Sequence, residues 1–321
     1  MTKYHGENKI LISLVIPAFN SENYITRCIN SLVKSIDRAK IQSEIIVVDN
    51  GSTDETIKAV HELAKNHPGL ISVLRCNTPG AGAARNLGAQ NAVGKYLWFI
   101  DADDEVREDS IEKLISTAEK EGADLVMMGA KRIYPDGHTD YLSAVKPNEK
   151  DYRGRFVRYG VGPWQLLIRR AWWVKHNFLF RERMIHEDME IMSSLILYTD
   201  AFAAVDEPFY LYYQNDGSVL HAKTFSPRIF DIFEALEGLM ARFKSAGAEQ
   251  KYYDSLEWFF IWNLLIDSAK DFVKFPEGRG GFKSSREMLR RYFPHWRKNR
   301  FLREKPLRLR LATLYNYFRN W

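Results

Sequence analysis

The sequence predicts an α/β fold with a mostly parallel, doubly wound sheet and a helical C-terminal extension. Between Lys9 and Ala130, short apolar runs alternate with segments of helical periodicity. Uncharged runs of this kind suit strands covered on both faces, and their alternation with helices suits βαβ units. The chemically distinctive residues collect where the strands end, at Pro17 to Glu22, Asp49 to Ser52, Asn77 to Arg85 and Asp101 to Glu105. In open sheets ligands bind beyond that edge. After Ser226 the pattern is helical to the end.

Each element follows from its own residues. KILISLVIP (Lys9 to Pro17) is uncharged after Lys9 and rich in β-branched side chains, as a buried strand requires. Ser21 to Ile36 then sets Ile25, Cys28, Ile29, Leu32, Val33 and Ile36 at helical spacing. EIIVVD (Glu44 to Asp49) is a second strand, and Ser52-Thr53-Asp54-Glu55 is a capping-box pattern expected to open a helix from Asp54 to about Asn66. LISVLRC (Leu70 to Cys76) is a third, leading through Pro79-Gly80-Ala81-Gly82 into a short helix containing Ala83 to Ala92. KYLWFI, the fourth, ends on the acids at Asp101, and a helix over roughly Asp109 to Glu121 and a strand at ADLVMMGA (Ala123 to Ala130) follow. Beyond Lys131 the pattern loosens into a stretch rich in Trp and Arg. MIHEDMEIMSSLILY then fits a helix starting near His186, and EPFYLYYQNDGSVLH (Glu207 to His221) a last strand and a glycine-containing loop.

The chain has 321 residues, 45% hydrophobic and 27% charged, enough for one large domain or two modest ones and inconsistent with a disordered or collagen-like chain. The N-terminal residues lack a signal-peptide apolar region, and LEWFFIWNLLI (Leu256 to Ile266) is shorter than the roughly 20 apolar residues that span a bilayer. Cys28 and Cys76 lack metal-ligand spacing and are expected as two unrelated buried thiols in a reduced, cytoplasmic setting. The net charge of +5 is uneven: Lys283 to Trp321 holds twelve Lys/Arg and two Glu, leaving the preceding residues mildly acidic.

WFIDADDEV (Trp98 to Val106) places four carboxylates where a strand ends. Carboxylates this close raise one another's pKa unless a cation joins them. A D-x-D there, Asp101 and Asp103, suits Mn2+ or Mg2+ held together with substrate phosphates. An Asp-nucleophile phosphotransferase remains an alternative, although its motif favours the first strand and Thr or Val where Glu105 stands. Helix capping and solvent exposure explain Asp104 and Glu105 well, and Asp101 poorly. Gly80 to Arg85 begins like a dinucleotide fingerprint, but its third position is Arg85, which suits an anion or base edge, or a salt bridge to a nearby Asp. Asp49, with Ser52 expected to cap the next helix, is free to accept a ligand hydrogen bond. Glu187 and Asp188 favour a helix N-terminus. His186 and His221 are each either metal ligands or structural.

Together VIPAFNSENYI, VVDNGSTDET, PGAGAARNLG, WFIDADDEV and HEDMEIMSSLI resemble, in order, the motifs of family 2 glycosyltransferases, inverting enzymes of the GT-A fold. The resemblance covers about Ile10 to His221. It implies a donor-binding half at 9–130, an acceptor-binding half at 131–225 and, outside it, a basic helical region at 226–321. It further implies that Pro17, Ala18, Asn20 and Glu22 line the nucleotide pocket, Asp49 hydrogen-bonds a base, usually uracil, and Arg85 faces the nucleotide. Asp101 would lie near ribose and metal, Asp103 would be the principal ligand of Mn2+ or Mg2+, and Asp188, in the pair with Glu187, would deprotonate the acceptor hydroxyl. The implied partners are a nucleotide-sugar donor and a saccharide or lipid-linked saccharide acceptor. A non-catalytic nucleotide-sugar-binding scaffold would share the fold. The family's Arg in the loop before the late Ser is missing from Tyr213-Gln214-Asn215-Asp216-Gly217-Ser218, and His221 is a possible substitute as metal or phosphate ligand.

In the tail, Leu307, Leu311, Leu314, Phe318 and Trp321 follow helical spacing, with Arg308, Arg310 and Arg319 between them. That pattern fits peripheral contact with an anionic membrane on its cytoplasmic face, and equally packing on the chain's own domain or a dimer. Nothing in it is a nucleic-acid-binding motif, so no nucleic acid is expected as a partner.

Overall fold

The run ISLVIPA forms the middle of the sheet in a computed structural model that describes residues 9–215 and 224–319. In chain order the elements are β1 (Ile12–Ala18), α1 (Ile25–Ala39), β2 (Ser43–Asp49), α2 (Thr56–Asn66), β3 (Ile71–Arg75), α3 (Ala81–Asn91), β4 (Tyr96–Phe99), β5 (Glu105–Val106), α4 (Ser110–Glu121), β6 (Leu125–Ile133) and β7 (Thr139–Leu142). They continue with α5 (Tyr152–Tyr159), β8 (Leu166–Arg169), α6 (Arg170–Lys175), α7 (Met189–Met192) and β9 (Phe202–Tyr213). Helices α8 (Asp231–Ser245), α9 (Tyr253–Trp262), α10 (Ser268–Lys274), α11 (Gly280–Tyr292), α12 (Arg300–Arg303) and α13 (Leu307–Phe318) follow.

The sheet runs β3-β2-β1-β4-β8-β6-β9-β5, with β7 on β6. Its β3-β2-β1-β4 half is parallel throughout. Beyond β4 the sheet is mixed. The four residues of β8 lie antiparallel to both β4 and β6, and the long β6–β9 ladder is parallel again. On one face of β1, Ile12, Leu14 and Ile16 pack with Ile25, Cys28, Ile29 and Leu32 of α1 and Ile111, Leu114 and Ile115 of α4. Fully burying each such side chain contributes about 1.5–3 kcal/mol. On the other face α3 approaches so closely that a Cβ on Gly88 would overlap Val15 Cγ1 and lie 3.2 Å from Val48 Cγ2. The glycine that closes this helix onto the sheet is therefore Gly88, three residues after Arg85.

Two helix starts differ from the sequence reading. Ser52 does not cap α2: its Oγ accepts the Asn20 N–H at 3.1 Å, and its own N–H donates to Asp49 Oδ1 at 2.9 Å. The first turn of α2 is held instead by Asp54, which accepts Thr56 N at 3.0 Å, and by Glu22, whose Oε2 accepts Glu55 N at 2.9 Å. The helix expected from His186 is only the four residues of α7, followed by a 3-10 turn at Leu195–Leu197. Arg183 and His186 both adopt left-handed φ (63° and 62°), and Ser194 Oγ donates back to Ile191 O at 2.8 Å, which competes with helix continuation.

The described residues divide into two compact units, 9–150 with 162–183 and 199–215, and 151–161 with 184–198 and 224–319. The second, helical unit thus takes in two short stretches from the middle of the chain. Its core is aromatic, with Phe243, Phe260, Phe272, Phe282 and Phe293 all buried. Among the described residues, no helix is long and apolar enough to cross a membrane.

Candidate functional site

In the first unit the parallel strands bring their carboxyl ends together. Ala18 lies opposite Asp49 in the β1–β2 register, and Ile100 N donates to Val15 O at 2.9 Å, so the acidic turn begins beside the end of β1. Each of its four acids is held by fixed partners. Asp101 Oδ1 accepts Arg85 Nη2 at 2.8 Å, and its N–H donates to Tyr210 Oη at 3.0 Å. The salt bridge held open for Arg85 is thus present, and its partner is Asp101. Asp103 Oδ2 accepts Asn215 Nδ2 at 3.0 Å. Asp104 is wholly buried, with Oδ1 accepting Tyr213 N at 2.8 Å. Glu105 pairs with Arg27 at 3.0 Å and accepts Tyr213 Oη at 2.7 Å. The expectation that Asp104 is a solvated turn residue is therefore corrected: it is a buried anchor for the end of β9.

Burial, with Asp101 adding to it, raises the pKa of Asp103, and burial together with both neighbours raises that of Asp104 well above the usual range. Arg27 offsets part of this field. Its Nη2 donates to Asp103 O at 2.6 Å, and its guanidinium lies 3.8 Å from the Tyr213 ring centroid. Arg27 sits on the polar side of an amphipathic helix, where the sequence offers no signal of a site role. Cys28 and Cys76 are free and buried, as expected; burial and the three aspartates push the Cys28 thiol well up, which keeps it protonated and unreactive.

Around the β1 and β2 ends, the expected nucleotide-pocket residues fall in two groups. Asn20, at a left-handed φ of 47°, uses Oδ1 to accept Thr53 N at 2.8 Å, and Glu22 is engaged on α2 as described. These two shape the loop. Pro17 and Ala18 line the strand end, and Asp49 is 8% exposed. Asp49 is not wholly free, since Oδ1 holds Ser52 N; among the described residues Oδ2 takes no hydrogen bond. Beside them Phe19, inside the Pro17 to Asn20 segment expected to line the pocket, is 58% exposed, an aromatic face at the site's edge. Asn50 was missed: it donates to Thr78 O and accepts Gly80 N, both at 2.7 Å, fixing Gly80 at φ 110° where α3 begins. Next to Arg85, Asn86 clamps the backbone of Phe180 with two 2.9 Å hydrogen bonds.

Glu187 and Asp188 belong to the second unit. Asp188 is the N-cap residue of α7, and its carbonyl accepts Met192 N at 2.8 Å. The loop before it is fixed by Asp231 Oδ2, which accepts Ile185 N at 2.9 Å, and α7 is tied to α8 by the Glu190–Arg242 ion pair at 2.7 Å. Burial lowers the pKa of His186, which keeps it neutral and suits a structural role. His221 lies outside the described residues.

Among the described residues no group of three or more His, Cys, Asp or Glu is arranged to hold a metal by itself. Asp101 and Asp103 nevertheless fit a hard divalent cation. Their carboxylates are close enough to repel, and one or two carboxylates completed by phosphate oxygens is an ordinary Mg2+ or Mn2+ donor set.

The Glycosyl transferase family 2 model matches residues 13–179, from β1 past the acidic turn to the loop after α6. The chain belongs to this family. Among curated relatives, poly(ribitol-phosphate) beta-N-acetylglucosaminyltransferase TarS of Staphylococcus aureus is 24% identical over 247 residues, covering 76% of this chain and 42% of TarS. The uncharacterized glycosyltransferase EpsJ of Bacillus subtilis is 28% identical over 222 residues, covering 65% of this chain and 62% of EpsJ. The chain thus spans about two fifths of the length of TarS. Among solved structures, S. aureus TarS 1-349 in complex with UDP-GlcNAc superposes with a TM-score of 0.75 at 20% identity, covering 96% of this chain and 89% of that one. That likeness gives the family member its GT-A fold, and it extends over the helices after residue 179 that the family model leaves out.

Proposed function

We propose that the chain is a metal-dependent inverting glycosyltransferase that moves a sugar from a UDP-linked donor to a hydroxyl of a saccharide or lipid-linked saccharide, on the cytoplasmic side, in polysaccharide or glycan biosynthesis. The observation that carries this is the braced, mutually repelling pair Asp101 and Asp103 at the carboxyl edge of a family 2 sheet. Support for UDP comes from the TarS complex with UDP-GlcNAc and from the site's own edge, where Phe19 offers a stacking face and Asp49 Oδ2 an acceptor for a base N–H. A mannosyltransferase of Pyrobaculum calidifontis solved with GDP-Man and Mn2+ has the same general fold, with a TM-score of 0.51 at 14% identity.

In this reading Asp103 and Asp101 hold the cation, which when bound stabilises the negative charge of the departing diphosphate. Arg85 orients Asp101 through their 2.8 Å ion pair, and Arg27 holds the turn through Asp103 O. Asp188, with Glu187 beside it, removes the acceptor hydroxyl's proton as the bond to the sugar forms, a contribution of about 10²- to 10⁴-fold. Attack opposite the leaving diphosphate inverts the anomeric centre. The rival Asp-nucleophile reading is disfavoured because Asp101, its nucleophile, is tied to Arg85. A non-catalytic scaffold would bind UDP without turnover. The deciding experiment is a thermal-shift screen of nucleotide sugars with and without Mn2+, followed by a transfer assay on the best donor. We expect Mn2+-dependent stabilisation by a UDP-sugar and turnover; failure of every nucleotide sugar to stabilise the protein would end the reading.

A further inference from the structure

The outward face of α13 is apolar. Leu307, Leu311, Tyr315 and Phe318 are 66%, 55%, 62% and 60% exposed, and their spacing of four, four and three residues sets them in one stripe. The inward face is fixed by other groups. Thr313 and Tyr317 are buried, the Tyr317 ring lies 4.9 Å from that of Trp296, Asn316 Nδ2 donates to Leu265 O at 2.9 Å, and Arg286 donates to the carbonyls of Tyr317 and Arg319. The apolar stripe noticed in the sequence is therefore not the packing face within this unit; Leu314 alone of its described members is partly covered, and Trp321 lies outside the described residues. Cations border the stripe. On the helical wheel Arg308 falls on one side and Arg310 on the other, and the exposed Arg297 guanidinium lies 4.9 Å from the Phe318 ring.

We propose that this face of α13 docks on an anionic phospholipid surface, with the stripe at the headgroup–acyl boundary and the bordering arginines on lipid phosphates. Charge selects this occupant. Lys283 to Trp321 holds twelve Lys/Arg against two Glu, so a second copy seated on the same face would bring like charges together across a two-fold axis, whereas an anionic bilayer complements both the stripe and its borders. Burial of the stripe needs no refolding, because the side chains already point outward.

The test is co-sedimentation of the full chain with vesicles of about three parts phosphatidylglycerol to seven parts phosphatidylcholine, and with pure phosphatidylcholine vesicles, across a salt series. Binding to the anionic vesicles alone, weakening with salt, is expected. Leu311→Ser with Phe318→Ser should lower partitioning about tenfold or more at an unchanged melting temperature, and Arg308→Glu with Arg310→Glu should lower it most at low salt. Equal partitioning of the wild type and the double-serine variant would overturn the proposal. So would equal partitioning onto both vesicle types, or a wild-type dimer in sedimentation equilibrium that the double-serine variant dissociates.

Discussion

Replacing Asn86 by alanine should loosen the support behind the acidic turn while leaving every carboxylate in place. The Asn86 side chain is buried and its amide serves one residue twice: Nδ2 donates to Phe180 O and Oδ1 accepts from Phe180 N, each at 2.9 Å. Truncation strands a buried N–H and a buried C=O, at about 1–3 kcal/mol each. Water entering the small cavity recovers part of this, leaving a cost of about 2–4 kcal/mol. Phe180 packs edge-on against Phe99 at 5.2 Å and lies 5.5 Å from the Arg85 guanidinium, so the loss reaches the partner of Asp101. Asn86→Asp keeps the acceptor for Phe180 N but sets a carboxylate oxygen against Phe180 O, and should be at least as damaging. Hydrogen exchange read by mass spectrometry on the peptide containing Phe180 gives the number directly. At 1.4 kcal/mol per decade, protection there should fall about 30- to 1,000-fold. Protection within about threefold of wild type, or an Asn86→Asp variant as stable as wild type, would refute the reasoning.

Asp103→Ala should abolish Mn2+-dependent UDP binding in calorimetry, whereas Asp188→Ala should bind UDP normally and lose transfer by about 10²- to 10⁴-fold; unchanged transfer in the second variant removes Asp188 as base. Arg242→Met removes the ion pair that ties α7 to α8 through the buried Glu190, so the second unit should lose about 1.5–3 kcal/mol in urea unfolding and turnover should fall more than donor affinity. Glu257 is buried and accepts Asn299 Nδ2 at 2.7 Å, and burial raises its pKa. The native state then binds this proton more tightly than the unfolded chain, so stability from this site is fully present below the ordinary carboxylate pKa and is lost as pH rises through the raised one. Glu257→Gln should accordingly melt higher than wild type at pH 8 and no higher at pH 4; an identical difference at both values would show that the site does not titrate on folding.

The legible part of this fold is the part that long ladders and dense burial dictate. β1 and β4 carry no charge, the Ile45–Val48 stretch of β2 is wholly aliphatic, and all three are buried on both faces, so no other period fits them. By contrast, Leu166–Arg169 is too short to display a period, so the antiparallel β8 that makes the sheet mixed was invisible. The site divides the same way. The carboxylates were legible because charges at the ends of apolar strands need an explanation; Arg27 and Asn50 were not, because a polar residue on a helix face or in a turn looks ordinary until its partner is known. Asp104 misled for a related reason, since sequence cannot show that a backbone N–H over a hundred residues away will cover a carboxylate. In the tail, periodicity found the amphipathic helix but could not say which face turns inward, and the choice fell to Thr313 and Tyr317 rather than to the leucines.

The way β9 braces the acidic turn also sets an order of assembly. Asp101, Asp103 and Asp104 receive Tyr210, Asn215 and Tyr213 across sequence separations of 109, 112 and 109 residues. At roughly 5–20 residues per second of synthesis, the acids emerge from the ribosome about 5–20 seconds before the strand that holds them. Until then Asp103 and Asp104 lack the hydrogen bonds that cover them, and the edge of β6 on which β9 pairs is open, a period in which a chaperone would matter most. A chain ending at residue 179, where the family model stops, would lack β9 and with it all three of these contacts.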